Sequence, residues 1–243
     1  MATANPITPP PTRRRGLLSR AWTAAEFADI HRLGLFAGRA VSLTGGMIVE
    51  QHPRAAGPVP VAFTRAEYRA LWDAQFFRNQ RVQLVRGVIV QEPPMNPPHA
   101  TGVRKATKVL ERVFPTDHDV RAQLPLNLAP ISEPHPDVAV VAGSVDDYAT
   151  AHPATALLVV EVADDSLFDD TTVKAELYAT AGVPDYWVID LQNRRLLIFR
   201  DPAPLPAGLG ATAYRTHLTF GPADTVAPLA APGAAVKVAD LLP

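Results

Sequence analysis

Apolar and polar positions run through the same order twice near the start of the chain. In residues 22–53 and 63–94, "WTAAEF" is answered by "FTRAEY", and "RAVSLTGGMIVEQHP" by "RVQLVRGVIVQEPP". Each segment opens on an aromatic residue and a threonine, with a glutamate three positions after the threonine: Trp22, Thr23, Glu26, and Phe63, Thr64, Glu67. That order predicts a capping box, in which the hydroxyl takes a free amide of the first turn and the carboxylate reaches back to the cap. Trp22 with Phe27 and Phe63 with Tyr68 stand at the positions of a hydrophobic staple. The period then changes from helical to alternating. Val41 and Leu43 lead through Gly45-Gly46 to Met47 and Val49, and Val82 and Leu84 lead through Arg86-Gly87 to Val88 and Val90. A duplicated helix-hairpin unit is expected, architectural in role, with Val41, Met47 and Val49 buried against the main domain or a second subunit.

Further along, "PPMNPPH" breaks the chain, and His99 to Phe114 predicts a helix with Val103, Ala106, Leu110 and Val113 on one face. Arg104, Lys105, Lys108 and Arg112 gather on the other. Such a face is ordinarily solvated surface, and becomes a phosphate track only where an acidic cleft lies beside it. "VRAQLPLNL", "DVAVV" and "ALLVVEV" predict strands, the last so continuously apolar that both its faces are expected to be covered. "DDTTVKAELYATAG" predicts one helix, capped by Asp169 or Asp170 and closed by Gly182; "DYWVID" and "RLLIFR" predict a further strand pair. From about residue 201 the pattern is loop-rich, with one or two edge strands and a last turn at "VADLL". Tyr178, Tyr186 and Trp187 are expected to be packing residues. The fold class is α/β or α+β, a mixed central sheet flanked by helices.

Composition narrows the function classes. Lys and Arg number 23 against 24 Asp and Glu, so the net charge of -1 advertises no global attraction to a polyanion, and any such site must be local. The absence of cysteine rules out a disulfide framework and thiolate metal sites. Charges or prolines interrupt every apolar run before the span of about 18 residues that a membrane requires. A cytoplasmic protein is the expectation, with residues 1–20 a Pro- and Arg-rich disordered tail, 21–58 the first helix-hairpin unit and 59–243 the main domain. The remaining histidines show no zinc-ligand spacing, and no phosphate-binding loop, dinucleotide fingerprint or nucleophile elbow occurs.

Charges that interrupt buried strands carry the chemistry. Asp137 opens one strand and Glu161 lies near the end of the next, so an antiparallel pair would bring the two carboxylates together at one edge of the sheet. Two carboxylates with waters suit a hard cation, Mg²⁺ or Mn²⁺. Lys174, on the following helix, could neutralise charge developing on a phosphate or lower the pKa of an attacking water. Taken singly, Asp137 is a turn cap, Glu161 a strand-end charge, and Lys174 one half of an exposed ion pair with Asp170 four residues earlier. His99 reads as a proton donor or phosphate ligand, or as a structural residue at a helix start.

"SEPHPDVAVV" and "LLVVEVADDSLFDDTTVKAELYATAGVPDYWVID", together with "RVQLVRGVIV" and "PPMNPPH", resemble the Uma-two family of putative restriction endonucleases, in the PD-(D/E)XK nuclease superfamily. The likeness covers about residues 22–200. It implies a restriction-endonuclease-like core, Asp137 and Glu161 as ligands of Mg²⁺ or Mn²⁺, and Lys174 as the catalytic lysine, moved from the strand (Ala163) to the helix. Gln83 stands where the family hairpin usually has a glutamate, His99 and His135 match or neighbour family positions, and Gln83, His99 and Asp170 are auxiliary candidates beside the three. The implied activity is hydrolysis of phosphodiester bonds in double-stranded DNA by a metal-dependent endonuclease; a homodimer is left open. Gln83 and the neutral overall charge equally permit a weakened relative kept as a binding or interaction module.

Overall fold

The computed structural model describes residues 19–52, 55–205 and 212–243; most of the expected N-terminal tail lies outside them. Helix α1 (Ala24–Arg32) leads to a small sheet of β1 (Val41–Thr44), β2 (Met47–Glu50) and β3 (Val59–Pro60), and α2 (Arg65–Asp73) leads to the hairpin of β4 (Val82–Val85) and β5 (Val88–Gln91). Then come α3 (Pro97–Val113), β6 (His118–Ala122), β7 (Val138–Ala142), β8 (Leu158–Ala163), α4 (Leu167–Thr171), α5 (Val173–Thr180), β9 (Asp185–Asp190), β10 (Arg195–Pro204) and β11 (Thr212–Phe220). A two-stranded ribbon of β12 (Thr225–Val226) and β13 (Val236–Lys237) and the turn of α6 (Val238–Leu241) end the chain.

Both capping boxes form. The Glu26 and Glu67 amides donate to the Thr23 and Thr64 hydroxyls, 3.2 Å in each case, and the two carboxylates accept the threonine amides in return. The two helices do not fold over separate hairpins. Trp22, Ile30, Phe36 and Ile48 from the first segment share one apolar cluster with Phe63, Tyr68, Leu71, Phe77, Val82, Leu84 and Ile89 from the second. Trp22 packs 5.8 Å from Phe63 and 6.3 Å from Phe77, with the Arg20 guanidinium over its ring.

The face each hairpin buries differs from expectation. Two-residue turns at Gly45-Gly46 and Arg86-Gly87, all four at positive φ, pair Leu43 with Ile48 and Leu84 with Ile89. The isoleucines therefore meet the aromatic cluster, while Met47 and Val88 face outward at 46% and 40% exposure. Val49 is buried as expected. On the second hairpin's other face, Val85 and Val90 pack on Leu177 of α5.

The main sheet has the order β11-β10-β9-β8-β7-β6, antiparallel throughout except for the β8–β9 pair, which the α4–α5 crossover makes parallel. Alternation along the strands sorts the core. Val138, Val140, Val160 and Val162 meet Val103, Ala106 and Leu110 of α3, and Ala139, Val141, Val159 and Ala163 meet Ala175, Tyr178 and Ala179 of α5. Both faces of β8 are covered, as its unbroken apolar run predicts. A Cβ on Gly102 would stand 2.8 Å from Val162, so α3 sits tight against β8.

Three expectations need correction. Asp169 and Asp170 do not cap one long helix: they lie inside α4, and the chain bends at Thr172 (φ -123°, ψ -80°) before α5 begins. The bend coincides with diverted hydrogen bonds, since the Asp170 carbonyl accepts the Tyr186 hydroxyl and the Thr172 hydroxyl donates to the Phe168 carbonyl. The strand expected in "VRAQLPLNL" starts at His118 and stops at Ala122, where Gln123 takes a positive φ of 54°. Beyond residue 201, β10 and β11 form one long hairpin rather than a loop-rich tail, and register pairs Leu196 with Phe220 at one end and Pro204 with Thr212 at the other.

Since Trp22 bridges the two helix-hairpin segments, Trp22→Ala should cost about 3–5 kcal/mol in chemical denaturation. A cost below roughly 1 kcal/mol would show that the two segments do not depend on a common core.

Candidate functional site

The β7–β8 register pairs Val138 with Val160, so Asp137 stands across from Glu161, one step before β7 begins. Both residues share the parity of Ala139 and Val159, and both therefore belong to the sheet face covered by α5. Asp137 and Glu161 are 8% and 2% exposed. The convergence expected from an antiparallel pair is present.

Every carboxylate oxygen of this pair is oriented by a donor. The Val162 amide donates to Asp137 Oδ2 at 2.9 Å, and His99 Nε2 and Gln123 Nε2 lie 3.0 Å and 3.4 Å from Oδ1. The Tyr178 hydroxyl donates to Glu161 Oε1 at 2.7 Å, and Lys174 Nζ lies 2.9 Å from Oε2. Lys174 also lies 3.0 Å from Asp170 Oδ1, and the Ser166 hydroxyl donates to Asp170 Oδ2. The ion pair of Lys174 with Asp170 is thus not the exposed surface pair that its spacing predicts. Lys174 and Asp170 are 8% and 1% exposed, because the bend at Thr172 turns both inward to Glu161.

His99 occupies the first turn of α3. Its amide donates to the side chain of the cap residue Asn96 at 3.0 Å, and Asn96 in turn donates to Asp164 at 2.6 Å. Gln83 is buried on the hairpin wall, and its Oε1 accepts the His135 amide at 3.1 Å. These residues line one cleft of about 170 Å³, into which Arg81, Glu92, Asp164 and Asp165 also face. All six residues singled out from sequence, Gln83, His99, Asp137, Glu161, Asp170 and Lys174, therefore meet in one place.

Charge inside the cleft is unbalanced. Burial pushes the Glu161 carboxyl up to about 8; the neighbouring Asp137 and Asp170 charges act the same way, and Lys174 offsets them only in part. Burial also opposes the Lys174 charge, but Asp170, Glu161 and Asp137 outweigh it and hold the ammonium protonated far above its ordinary range. For Asp137, burial is outweighed by the His99 hydrogen bond and by the His99 and Lys174 charges, so its carboxyl lies below its usual range. The Asp170 Oδ1 oxygen is buried and has the Lys174 ammonium as its partner at 3.0 Å.

Carboxylate oxygens gathered in one cleft are the donor type that a hard divalent cation takes. Among the described residues no three His, Asp or Glu side chains close a cation shell by themselves.

Tyr178, Tyr186 and Trp187 are fully buried, as expected of packing residues. Tyr178 does more than pack, since it follows Lys174 by four residues on the same helix face and orients Glu161. Glu92 and Arg81 also belong to the cleft, although neither stands out in the sequence. No helix among the described residues is long and apolar enough to cross a membrane.

No functionally curated protein matches the chain. Among solved structures, a crystal structure of a protein from Anabaena variabilis, described as a putative nuclease belonging to DUF820, aligns over 74% of this chain and 97% of its own, with a TM-score of 0.57 and 16% identity. At that identity the likeness speaks for the fold, a mixed sheet flanked by helices. A family described as "Putative restriction endonuclease", Uma2, matches residues 65–239, from the start of α2 into α6 and across every strand and helix that lines the cleft. The chain belongs to the Uma2 family of nuclease-type proteins.

Proposed function

We propose that the protein is a metal-dependent DNA endonuclease that hydrolyses phosphodiester bonds of double-stranded DNA. One observation carries the reading: Asp137 and Glu161 face each other across adjacent strands, with Lys174 on the same face and 2.9 Å from Glu161. Asp137 and Glu161 would hold Mg²⁺ or Mn²⁺. Such an ion, when bound, draws charge from a phosphate oxygen and eases deprotonation of water.

The chain's own residues do the rest. Lys174 is a fixed positive charge rather than a base, because its carboxylate neighbours keep it protonated; its role is to stabilise the negative charge that builds on the phosphoryl oxygens. Asp170 anchors that ammonium, and Tyr178 fixes the orientation of the Glu161 carboxylate. His99 orients Asp137 in the same way.

A route for the polyanion lies beside the cleft. Arg104, Lys108 and Arg112 recur along α3 at intervals of one helical turn, with Arg104 five residues after His99; all three are exposed, and among the described residues none has an ion-pair partner. A solvated basic face serves as a phosphate track where an acidic cleft lies at its end, and the first turn of the same helix carries His99, 3.0 Å from Asp137, which supports this reading.

Supercoiled plasmid should be nicked with Mg²⁺ or Mn²⁺ by the wild-type protein and not by Asp137→Ala. No nicking by wild type with either ion, while DNA is still bound, would replace the endonuclease by a binding module. Lys174→Met should lower the rate by about 10²–10³-fold, and Asp170→Asn by far less, because the ammonium keeps Glu161 as its partner. Equal losses in the two variants would remove the catalytic role of Lys174.

The raised Glu161 pKa fixes a pH dependence. A carboxyl whose folded pKa exceeds its unfolded value contributes stability that is full below the unfolded pKa and is lost as pH rises through the folded one. In chelator, the melting temperature should therefore fall between about pH 4.5 and pH 8, and Mg²⁺ should restore it at the upper end. A melting temperature in chelator that stays flat or rises over this interval would contradict the assignment of Glu161 as a buried carboxyl awaiting a cation.

A further inference from the structure

The hairpin wall of the cleft carries a carboxylate that has no part in the proposed chemistry. Register pairs Gln83 with Val90, and Glu92 follows Val90 by two residues, so Arg81, Gln83, Val90 and Glu92 share one hairpin face. The turn end of that face packs Val85 and Val90 on Leu177, and its open end faces the cleft. The Glu92 amide donates to the Arg81 carbonyl at 2.9 Å, which extends the ladder one step and fixes the backbone from which the side chain projects.

Gln83 is committed elsewhere. Its side-chain oxygen accepts the His135 amide, and beside it Leu84 and Glu133 exchange backbone hydrogen bonds, so this part of the hairpin ties the wall to the segment leading into Asp137. Glu92 is the carboxylate on the same face. Arg81 lies 2.9 Å from Oε2, His135 Nδ1 lies 3.4 Å from Oε1, and Oε1 is buried with no hydrogen bond made to it. Burial raises the Glu92 carboxyl, but His135, Arg81 and Lys174 together outweigh it, so Glu92 is an anion facing the cleft.

We propose that Glu92 is a positioning residue for the divalent cation: from the hairpin wall its Oε1, which has His135 as a neighbour at 3.4 Å, holds a water of the cation's shell, supplying the negative charge that Gln83 lacks. The proposal rests on the metal-dependent function proposed for the same cleft. Arg81 is 44% exposed, so its ion pair with Glu92 contributes little stability by itself, and a purely structural role would leave cation binding untouched.

The test measures Mn²⁺ binding to the full chain by calorimetry, beside thermal melts in chelator. Glu92→Gln should weaken Mn²⁺ by about 10–100-fold while its melt in chelator stays close to wild type, and Glu92→Asp, which keeps the charge, should lose much less. Adding Gln83→Glu to Glu92→Gln should recover affinity, since it returns a carboxylate to the same hairpin face. Wild-type affinity in a folded Glu92→Gln protein would overturn the role of Glu92 and leave the cation site standing. Should Glu92→Gln not fold, Glu92→Asp and Gln83→Glu decide alone, and unchanged Mn²⁺ affinity in both would overturn it. No Mn²⁺ binding by wild type would instead remove the metal-dependent function, and this inference with it.

Discussion

The ammonium of Lys174 sits inside the protein with Glu161 on one side and Asp170 on the other, and much of the surrounding structure answers to that fact. Burying ions costs several kcal/mol each unless partners and hydrogen bonds compensate. Here the compensation is specific and comes from several elements. Tyr178 serves Glu161, Ser166 serves Asp170, and the Tyr186 hydroxyl takes the Asp170 carbonyl where the helix bends. The bend at Thr172 belongs to the same solution, because it separates α4 from α5 at the point where two charged side chains turn toward one strand. Even so, burial pushes the Glu161 carboxyl up to about 8, and the Asp137 and Asp170 charges act the same way. Buried charges held this close, with a shifted carboxyl among them, are more characteristic of a functional site than of a device for stability alone.

The hairpin of β4 and β5 links this centre to the N-terminal third of the chain. One of its faces completes the aromatic cluster built around Trp22, Phe63 and Tyr68, and the other packs on α5 and walls the cleft. Arg86 at the turn reaches Glu176 of α5 at 2.6 Å, while Gly87 at the same turn leaves no room for a Cβ against Ala62. A shift of the aromatic cluster would therefore move Gln83 and Glu92 relative to Lys174. Among the described residues the first helix-hairpin segment contributes no side chain to the cleft, yet it shares the core that sets the wall's position.

How much of this was legible in the sequence depends on which interaction placed each residue. Asp137 and Glu161 were legible because a charge in an apolar strand run is costly unless it is paired or put to use, and because antiparallel pairing alone brings a strand start to a strand end. The burial of Lys174 was not legible, since a lysine four residues after an aspartate has the spacing of a surface pair and only the bend at Thr172 turns it inward. Tyr178 was read as packing, though its i+4 relation to Lys174 carried the signal for a second role. Glu92 was hidden by the phase of the hairpin. Which residues share a hairpin face is set by the turn, and alternation within each strand does not give it; with Leu84 paired to Ile89, Arg81, Gln83 and Glu92 fall on the cleft side.

The charge distribution also bears on how a nucleic acid would be handled by the proposed endonuclease. With a net charge of -1, the chain has no long-range field to collect DNA. The cleft itself, rich in Asp and Glu, would repel a phosphate until a divalent ion reverses its local sign. The exposed cations of α3 lie outside that balance, and three phosphate contacts are few compared with the roughly six to ten of a strongly salt-dependent binder. Weak, cation-independent attraction along α3 and cation-dependent capture in the cleft would then be separate steps. The phosphate reaching the scissile position would do so because the ion that activates the chemistry also removes the repulsion, which ties substrate binding and catalysis to the same pair of carboxylates.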